Sequence, residues 1–524
     1  MQYLYNVLYR FGYKDLALLL PFILGCLCAS SFAPLFFAPG LIALSVFCAL
    51  LKNAKNLRQA IKCGFWFKYG YFFASLYWIS IAISVYIDDF WWMMPITIIG
   101  LPVLLSCFII PCSIFSWIVA DKKYYHLVFC ISWVLCEFLR SWMFTGFPWN
   151  LLGYAFTFSD ILIQTSSLWG IYGLSFIVIY ISSSLYLVIE NKTICQMNDD
   201  SKCYGLIGSS CLIMIIIVVF GMVKLYKYPN EFLEFKFRLV QPSIQQHDKW
   251  SEKELLGNLD KHIAISKLDG DIDTVIWSEA ALNVPYNLPI IKEKIQGLLS
   301  YKNANLITGS IGYEQNEDSF KLYNIMQAIS HYDQILFTYA KSHLVPFGEY
   351  IPFSDILPLQ KITKGIIDYS PGIKQIVYLD SIAILPLICY ESIFSDEVQL
   401  ALNNADVIIN VTNDAWFGNS SGPYQHLHIA RMRAVENGIP ILRVANNGIS
   451  AVIDSNGSII ASLGLNYVGK IDSKLPSKLP FSTIYSKYGI STILIAIIFV
   501  SIVYFISMFC IRRFANFNTN HHES

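Results

Sequence analysis

The sequence predicts two differently built parts in one chain: a polytopic α-helical membrane bundle of eight spans, and a layered α/β domain inserted between the seventh and eighth. Three observations predict this. The 524 residues are 55% hydrophobic and only 14% charged, whereas soluble chains run about 45–50% apolar and about 25% charged. Apolar runs have spanning length up to about residue 230 and again near 490–511, but only strand length in between. The zero net charge conceals a split: residues 1–230 carry 14 Lys and Arg against 9 Asp and Glu, and residues 231–524 carry 23 against 28. This composition excludes a disordered chain, a collagen-like fibre and a nucleic-acid-binding module.

A spanning helix needs about 20 mostly apolar residues, because the hydrocarbon layer is roughly 30 Å thick. The runs at 16–34, 35–51, 65–86, 91–119, 125–146, 162–189 and 204–223 qualify as seven spans, and 489–511 as the eighth. The second is short, ending at Lys52, and Pro95, Pro102 and Pro111 are expected to kink the fourth. The first has signal-peptide features but reads as an uncleaved span, since further spans follow. With the N-terminus cytoplasmic, Arg10, Lys14, Lys52, Lys55, Arg58, Lys62, Lys68, Lys122, Lys123, Lys192, Lys202, Arg512 and Arg513 fall on the inner side. Outer loops are nearly free of cations, the pattern that fixes orientation. The resulting division is a membrane domain at 1–230, an outer domain at 231–480, the last span at 489–511 and a cytoplasmic tail at 512–524. Glu137 and Arg140 stand one helical turn apart within the fifth span, as an intrahelical pair or a functional site.

In the outer domain, strands are expected at Phe235–Leu239, then at 273–277, 305–311, 323–329, 334–340, 382–388, 406–412, 441–446 and 449–454. Ser251 and Glu254 are spaced as a capping box for a helix. A second helix at 424–437 has Pro423 before it and Gly438 after it. Strands alternating with helices imply layers, and about 250 residues can bury a core. His426 and His428 stand two apart on that helix, so they face different ways and read as structural rather than as metal ligands.

Of 13 cysteines, eleven precede residue 231, Cys510 lies in the last span, and Cys389 alone belongs to the outer domain. An isolated thiol there is buried filler or a nucleophile. Cys389 follows the strand 382–388 where a helix could begin, a position that would lower its pKa. Glu279 and Lys341 each follow a strand as well. All three thus stand at carboxyl ends of strands, where α/β proteins build their sites.

The stretches VIWSEAAL with Glu279, YAKSHLVPFGEYIPF with Lys341 and LICYESIF with Cys389 resemble the carbon–nitrogen hydrolase (nitrilase) superfamily and its Glu-Lys-Cys triad. With EFLRSWMFTGFPWNLLGYAF and NVTNDAWFGNSSGPYQHLHIARMRAVENGIPILRVANNG, the whole chain is similar to the membrane-bound apolipoprotein N-acyltransferase family. The resemblance implies a nitrilase-like αββα sandwich in the periplasm of a bacterial inner-membrane protein, with both termini cytoplasmic. It implies transfer of a fatty acyl chain from a phospholipid, in this family usually phosphatidylethanolamine, to the α-amino group of diacylglyceryl-cysteine apolipoproteins. Glu279 would be the base, Cys389 the nucleophile forming a thioester, and Lys341 the cation for the oxyanion that also lowers the thiol pKa. Glu349, Tyr390 and Glu391 match supporting residues, and Trp250 a substrate-binding tryptophan. No metal or cofactor is implied, and a monomer is expected. Ala281–Ile290 and Leu344–Ile366, rich in apolar residues, are expected to form arms that receive acyl chains, with Leu357, Leu359 and Ile362 as their test. The alternative is a membrane-tethered amidase or nitrilase that hydrolyses a C–N bond.

Overall fold

The structure is a computed structural model that describes residues 14–193, 200–316, 319–352, 368–402 and 404–522. The chain forms two compact units: residues 1–77, 92–227 and 488–524 make one, and residues 78–91 and 228–487 the other.

The first unit is helical. Among the described residues, four helices are long and apolar enough to cross a membrane: Ile87–Ile118, Ser166–Ile189, Tyr204–Lys227 and Ile484–Phe509. Ile215, Val219, Met222 and Ile498 are exposed on these helices, as expected of side chains that face lipid. The expectation of eight spans is therefore met only in part. Apolar helices over Leu18–Ala29 and Ala38–Lys52 fall short of spanning length, and the helix over the fifth run covers Tyr125–Arg140, 16 residues. The run at 65–86 is divided. Its helix, Leu57–Ser75, ends with Leu76 as C-cap, and residues 78–91 belong to the other unit. There Trp78 Nε1 donates to Gln425 Oε1 at 3.2 Å and its ring packs on Phe417. Hydropathy cannot separate an apolar run that meets lipid from one that meets protein.

The proline-rich run does not form one regular helix. It passes through a π turn at Ile96–Gly100, an α segment at Leu101–Ser106, a 3-10 turn at Cys107–Ile109 and an α segment at Ile110–Ile118. Among the described residues, the group within ion-pair distance of Glu137 is not Arg140 but Lys68 of another helix, Nζ to Oε1 3.7 Å, and Glu137 accepts from Trp133 Nε1 at 2.9 Å. Arg140 donates to the carbonyl of Phe147. Lys68 is thus a buried helix residue rather than a loop cation.

The second unit is built on twelve strands. In chain order they are β1 Phe232–Gln241, β2 Thr274–Ile276, β3 Asn305–Asn316, β4 Ser319–Ile329, β5 Ile335–Ala340, β6 Val377–Leu379, β7 Ile382–Ile388, β8 Val407–Thr412, β9 Ile441–Ala445, β10 Ser450–Ile453, β11 Ile459–Leu463 and β12 Gly469–Pro476. They form two six-stranded sheets, ordered β12-β1-β2-β3-β4-β5 and β11-β10-β9-β8-β7-β6. The strands β7, β8 and β9 run parallel, as do β1, β2 and β3, while β3, β4 and β5 form an antiparallel meander.

Side chains alternate across each strand. Phe237, Leu239, Ile276, Ile307 and Met326 of one sheet meet Ile384, Ile388, Val407, Ile409 and Val444 of the other in a shared core. The opposite face of the first sheet packs Val275 and Leu306 against Leu259 and Ile263 of helix Leu255–Ser266 and Ile291, Ile295 and Leu298 of helix Pro289–Lys302. The opposite face of the second packs Leu385, Leu387 and Ile408 against Val398, Leu427 and Ala434, which lie on helices Ser395–Ala401 and Gly422–Asn437. Four layers result, αββα, as expected.

The expected capping box does not form. Ser251 makes no side-chain capping bond, and Glu252–Glu254 is a 3-10 turn ahead of helix Leu255–Ser266. Pro423 lies in the first turn of helix Gly422–Asn437, and Gly438 ends it in the left-handed region at φ 70°, where a side chain would be strained.

Candidate active site

The site forms where β2, β5 and β7 end. Cys389 directly follows β7 and opens a 3-10 turn, Cys389–Ile393, rather than a long helix. Its φ is +51°, uncommon for a residue with a Cβ. Glu391, fully buried, holds this elbow: Oε2 accepts from the Ile388 N–H at 2.7 Å. Its Oε1 accepts from Tyr339 Oη at 2.7 Å, Ser342 N at 2.8 Å and Ser342 Oγ at 2.6 Å. One carboxylate thereby ties the Cys389 elbow to the residue that follows Lys341.

Glu279 sits in the turn after β2, next to Ala280 at φ +46°. Two features fit the chain to this turn. Lys249 Nζ donates to the Glu279 carbonyl at 2.6 Å. Gly309 of β3 lies so close that a Cβ there would be 2.4 Å from Ala280 N and 2.6 Å from Glu279 Cα. Lys341, 1% exposed, follows β5 and donates its backbone N–H to the Asn324 carbonyl of β4 at 2.8 Å. Its Nζ is 2.9 Å from Glu349 Oε1 and 3.5 Å from Glu279 Oε1. Glu349 also accepts from Asn324 Nδ2 at 2.9 Å and, on Oε2, from Val345 N at 2.8 Å.

These contacts set the charges. Burial alone would lower the Lys341 pKa, but the carboxylates of Glu349 and Glu279 outweigh it, and the ammonium is held above the usual lysine range. Burial pushes the Cys389 thiol up to about 12, the Glu279 charge adds to this, and Lys341 only partly offsets it. The expected low-pKa thiol is therefore corrected. A helix of one 3-10 turn adds little dipole, and the buried elbow with an anionic neighbour keeps the resting sulfur protonated. Such a site works by moving the thiol proton as the sulfur attacks.

The other expected residues lie around this centre. Tyr390 is half-buried, with its ring edge-on to His343 and Phe394. Trp250 is the half-buried C-cap of the short helix Gln246–Lys249; its neighbour Lys249 is the residue that touches Glu279. Burial lowers the Lys249 pKa to about 8, with Glu279 and Cys389 opposing that shift. The first expected arm, Ala281–Ile290, anchors Leu282 and Tyr286 in the core and exposes Leu288 and Ile290. In the second, Leu357, Leu359 and Ile362 lie outside the described residues.

Sequence reasoning missed several residues here. His426, expected to be structural rather than a metal ligand, belongs to a charged network beside Cys389. Its Nδ1 is 2.8 Å from Asp414 Oδ1, and its Nε2 is 3.2 Å from the Cys389 carbonyl oxygen. Arg443 donates to Asp414 Oδ2 at 2.7 Å and to Asn410 Oδ1 at 2.5 Å. Burial opposes it, yet Arg443 and His426 hold the Asp414 carboxyl down at about 2. A Cys389 sulfur, an Asp414 oxygen and a His426 nitrogen lie within 4.8 Å of one another. The guanidinium of Arg443 already supplies the cation for Asp414, so this cluster reads as a brace. Asp414 lies in the NDAW stretch, whose match to the family was the one available signal. Asn324, in mid-strand, carried none.

Comparison with known proteins covers both halves. The sequence profile of the apolipoprotein N-acyltransferase N-terminal domain matches residues 24–184, and that of carbon–nitrogen hydrolases matches residues 236–474. The apolipoprotein N-acyltransferase of Rickettsia bellii is 51% identical over 92% of this chain and 96% of its own. The protein of that name from Rickettsia prowazekii is 48% identical over 92% and 97%. That from Brucella melitensis is 35% identical over 81% of both chains.

Proposed function

The chain belongs to the apolipoprotein N-acyltransferase family, and we propose that Glu279, Lys341 and Cys389 are the groups that carry out its acyl transfer. It is a membrane-bound acyltransferase that N-acylates lipoproteins, with phospholipid as the acyl source. The match of residues 24–184 to the family's membrane domain disfavours a tethered amidase.

In the first half-reaction, Glu279 takes the Cys389 proton as the sulfur attacks the ester carbonyl of the phospholipid. The S–C bond forms, and Lys341 faces the developing oxyanion. Collapse breaks the C–O bond, and Glu279 returns the proton to the departing lysophospholipid alkoxide. The thioester remains on Cys389. In the second, the α-amine of the diacylglyceryl cysteine attacks the thioester, Glu279 takes the amine proton, the C–S bond breaks and the thiol is restored. A thioester is more reactive toward amines than the original ester, so the ping-pong order makes the amide accessible. Phosphatidylethanolamine is the proposed donor, Trp250 the proposed substrate contact, and Ala281–Ile290 and Leu344–Ile366 the segments proposed to receive acyl chains.

The observation that supports this reading is the placement of one buried lysine between two carboxylates, 3.5 Å from Glu279 and 2.9 Å from Glu349, with Glu279 and Lys341 both acting on the Cys389 thiol. We place the enzyme in the bacterial inner membrane as a monomer with eight spans, the outer domain 231–480 periplasmic and both termini cytoplasmic. The test is to incubate the purified protein with acyl-labelled phosphatidylethanolamine and follow label to a diacylglyceryl-cysteine peptide. The expected result is label on wild type and none on Cys389→Ala; equal label on the two would overturn the assignment.

A further inference from the structure

Asn324 of β4 is 7% exposed and stands between the two glutamates. Its Nδ2 lies 2.9 Å from Glu279 Oε1 and 2.9 Å from Glu349 Oε1. A carboxylate only accepts, so only the amide nitrogen can face two of them, one proton to each. The same residue takes the Lys341 backbone N–H on its carbonyl. Its Oδ1 is buried without a partner among the described residues. An unpaired buried acceptor is unfavourable, and an apolar residue of similar size would avoid it; what the amide supplies in return is its two N–H groups.

The consequence falls on Glu279. Its hydrogen bond from Asn324 and its ion pair with Lys341 both engage Oε1. We infer that Asn324 is a positioning residue: it commits Glu279 Oε1 to the buried cluster and thereby presents Oε2 as the oxygen that takes the Cys389 proton. Without it, Lys341 would be the only donor among the described residues joining the two carboxylates, and Glu279 would be free to rotate. This inference rests on the assignment of Glu279 as the base.

The charged and titratable groups that face Asn324 and its partners are Glu279 after β2, Lys341 after β5, Glu349 in the loop beyond, Lys249, Tyr369 and Cys389. An aspartate at position 324 would be a third carboxyl beside two carboxylates, so it donates only when protonated. A leucine never donates.

The experiment measures the single-turnover rate of thioester formation from acyl-labelled phosphatidylethanolamine in detergent-solubilised full-length protein, from about pH 6 to 8.5. Wild type, Asn324→Asp, Asn324→Leu and Cys389→Ala are compared, with thermal unfolding of each. Asn324→Leu should be slowed about 100-fold at every pH, the scale of a misplaced catalytic group. The deficit of Asn324→Asp should shrink roughly tenfold from the alkaline to the acid end as its carboxyl gains a proton. Substitutions that slow the rate equally at every pH in step with lost thermal stability would assign Asn324 to the fold and overturn the inference, as would wild-type rates or an Asp variant that does not fold. Absence of thioester on wild type would instead overturn the Glu279–Cys389 reading itself.

Discussion

At the scale of single residues, the site is defined by how little room its backbone has. Gly309 lies against the Glu279–Ala280 turn, so Gly309→Ala must displace Glu279, the proposed base. The expected outcome is a loss of acyl transfer of about 100-fold with the protein still folded, checked by thioester formation beside a thermal melt. Cys389, held in the left-handed region and pushed up to about 12 by burial and then by Glu279, should alkylate slowly at neutral pH. Its rate with iodoacetamide should keep rising beyond pH 9, where an ordinary thiol levels off; a plateau at or below neutral pH would contradict a protonated resting thiol. Glu279, Lys341 and Cys389 stood out in the sequence because each lies at or just beyond the end of a strand, the position where α/β sheets expose side chains, and the structure brings Glu279 and Lys341 together after β2 and β5. Asn324 was not, because nothing in a strand interior distinguishes an asparagine bridging two anions from one facing water.

At the scale of elements, two parallel strands meet in one buried network: Thr412, the last residue of β8, bonds Asp414, and β9 contributes Arg443. Both charged groups are fully buried, so removing one leaves the other with neutral hydrogen-bond partners but without its opposite charge, at a cost of about 3–5 kcal/mol. Arg443→Met should lower the unfolding temperature accordingly, and Asp414→Asn combined with it should restore part of the loss. The Asp414 pKa is lowered, so its contribution to stability is complete above the unfolded value near 3.8 and disappears as pH falls toward about 2. Acid melts of wild type and Asp414→Asn should therefore converge below that window.

The strands β3, β4, β7 and β8 were legible as short apolar runs bounded by turn residues; β7 and β8 are buried along almost their whole length. The strands β6, β11 and β12 were not: β6 has three residues, and β11 and β12 are exposed or mixed along much of their length, so they lack a clear period. The capping box at Ser251 and Glu254 has the right spacing but the wrong backbone, since a 3-10 turn occupies Glu252–Glu254.

At the scale of the whole molecule, composition separates a lipid-facing part from a layered part, and the two compact units follow that division except at residues 78–91. There the sequence misleads for a physical reason. Trp78, Ile79, Ile81 and Ile83 are as apolar as a spanning helix, yet Trp78 packs on Phe417 and hydrogen-bonds Gln425 in the catalytic unit. Trp78→Ala should lower the thermal stability of the catalytic unit by roughly 3–5 kcal/mol in an unfolding titration, whereas a lipid-facing tryptophan would leave it nearly unchanged. The central claim is that Cys389 carries the acyl group between a phospholipid and a lipoprotein amine. The direct measurement is mass spectrometry of the purified enzyme after incubation with acyl-labelled phosphatidylethanolamine, before and after adding a diacylglyceryl-cysteine peptide. The account predicts a hydroxylamine-labile acyl group on the peptide containing Cys389 that passes to the added amine. Label that stays on the enzyme, or that reaches the peptide equally well in Cys389→Ala, would contradict it.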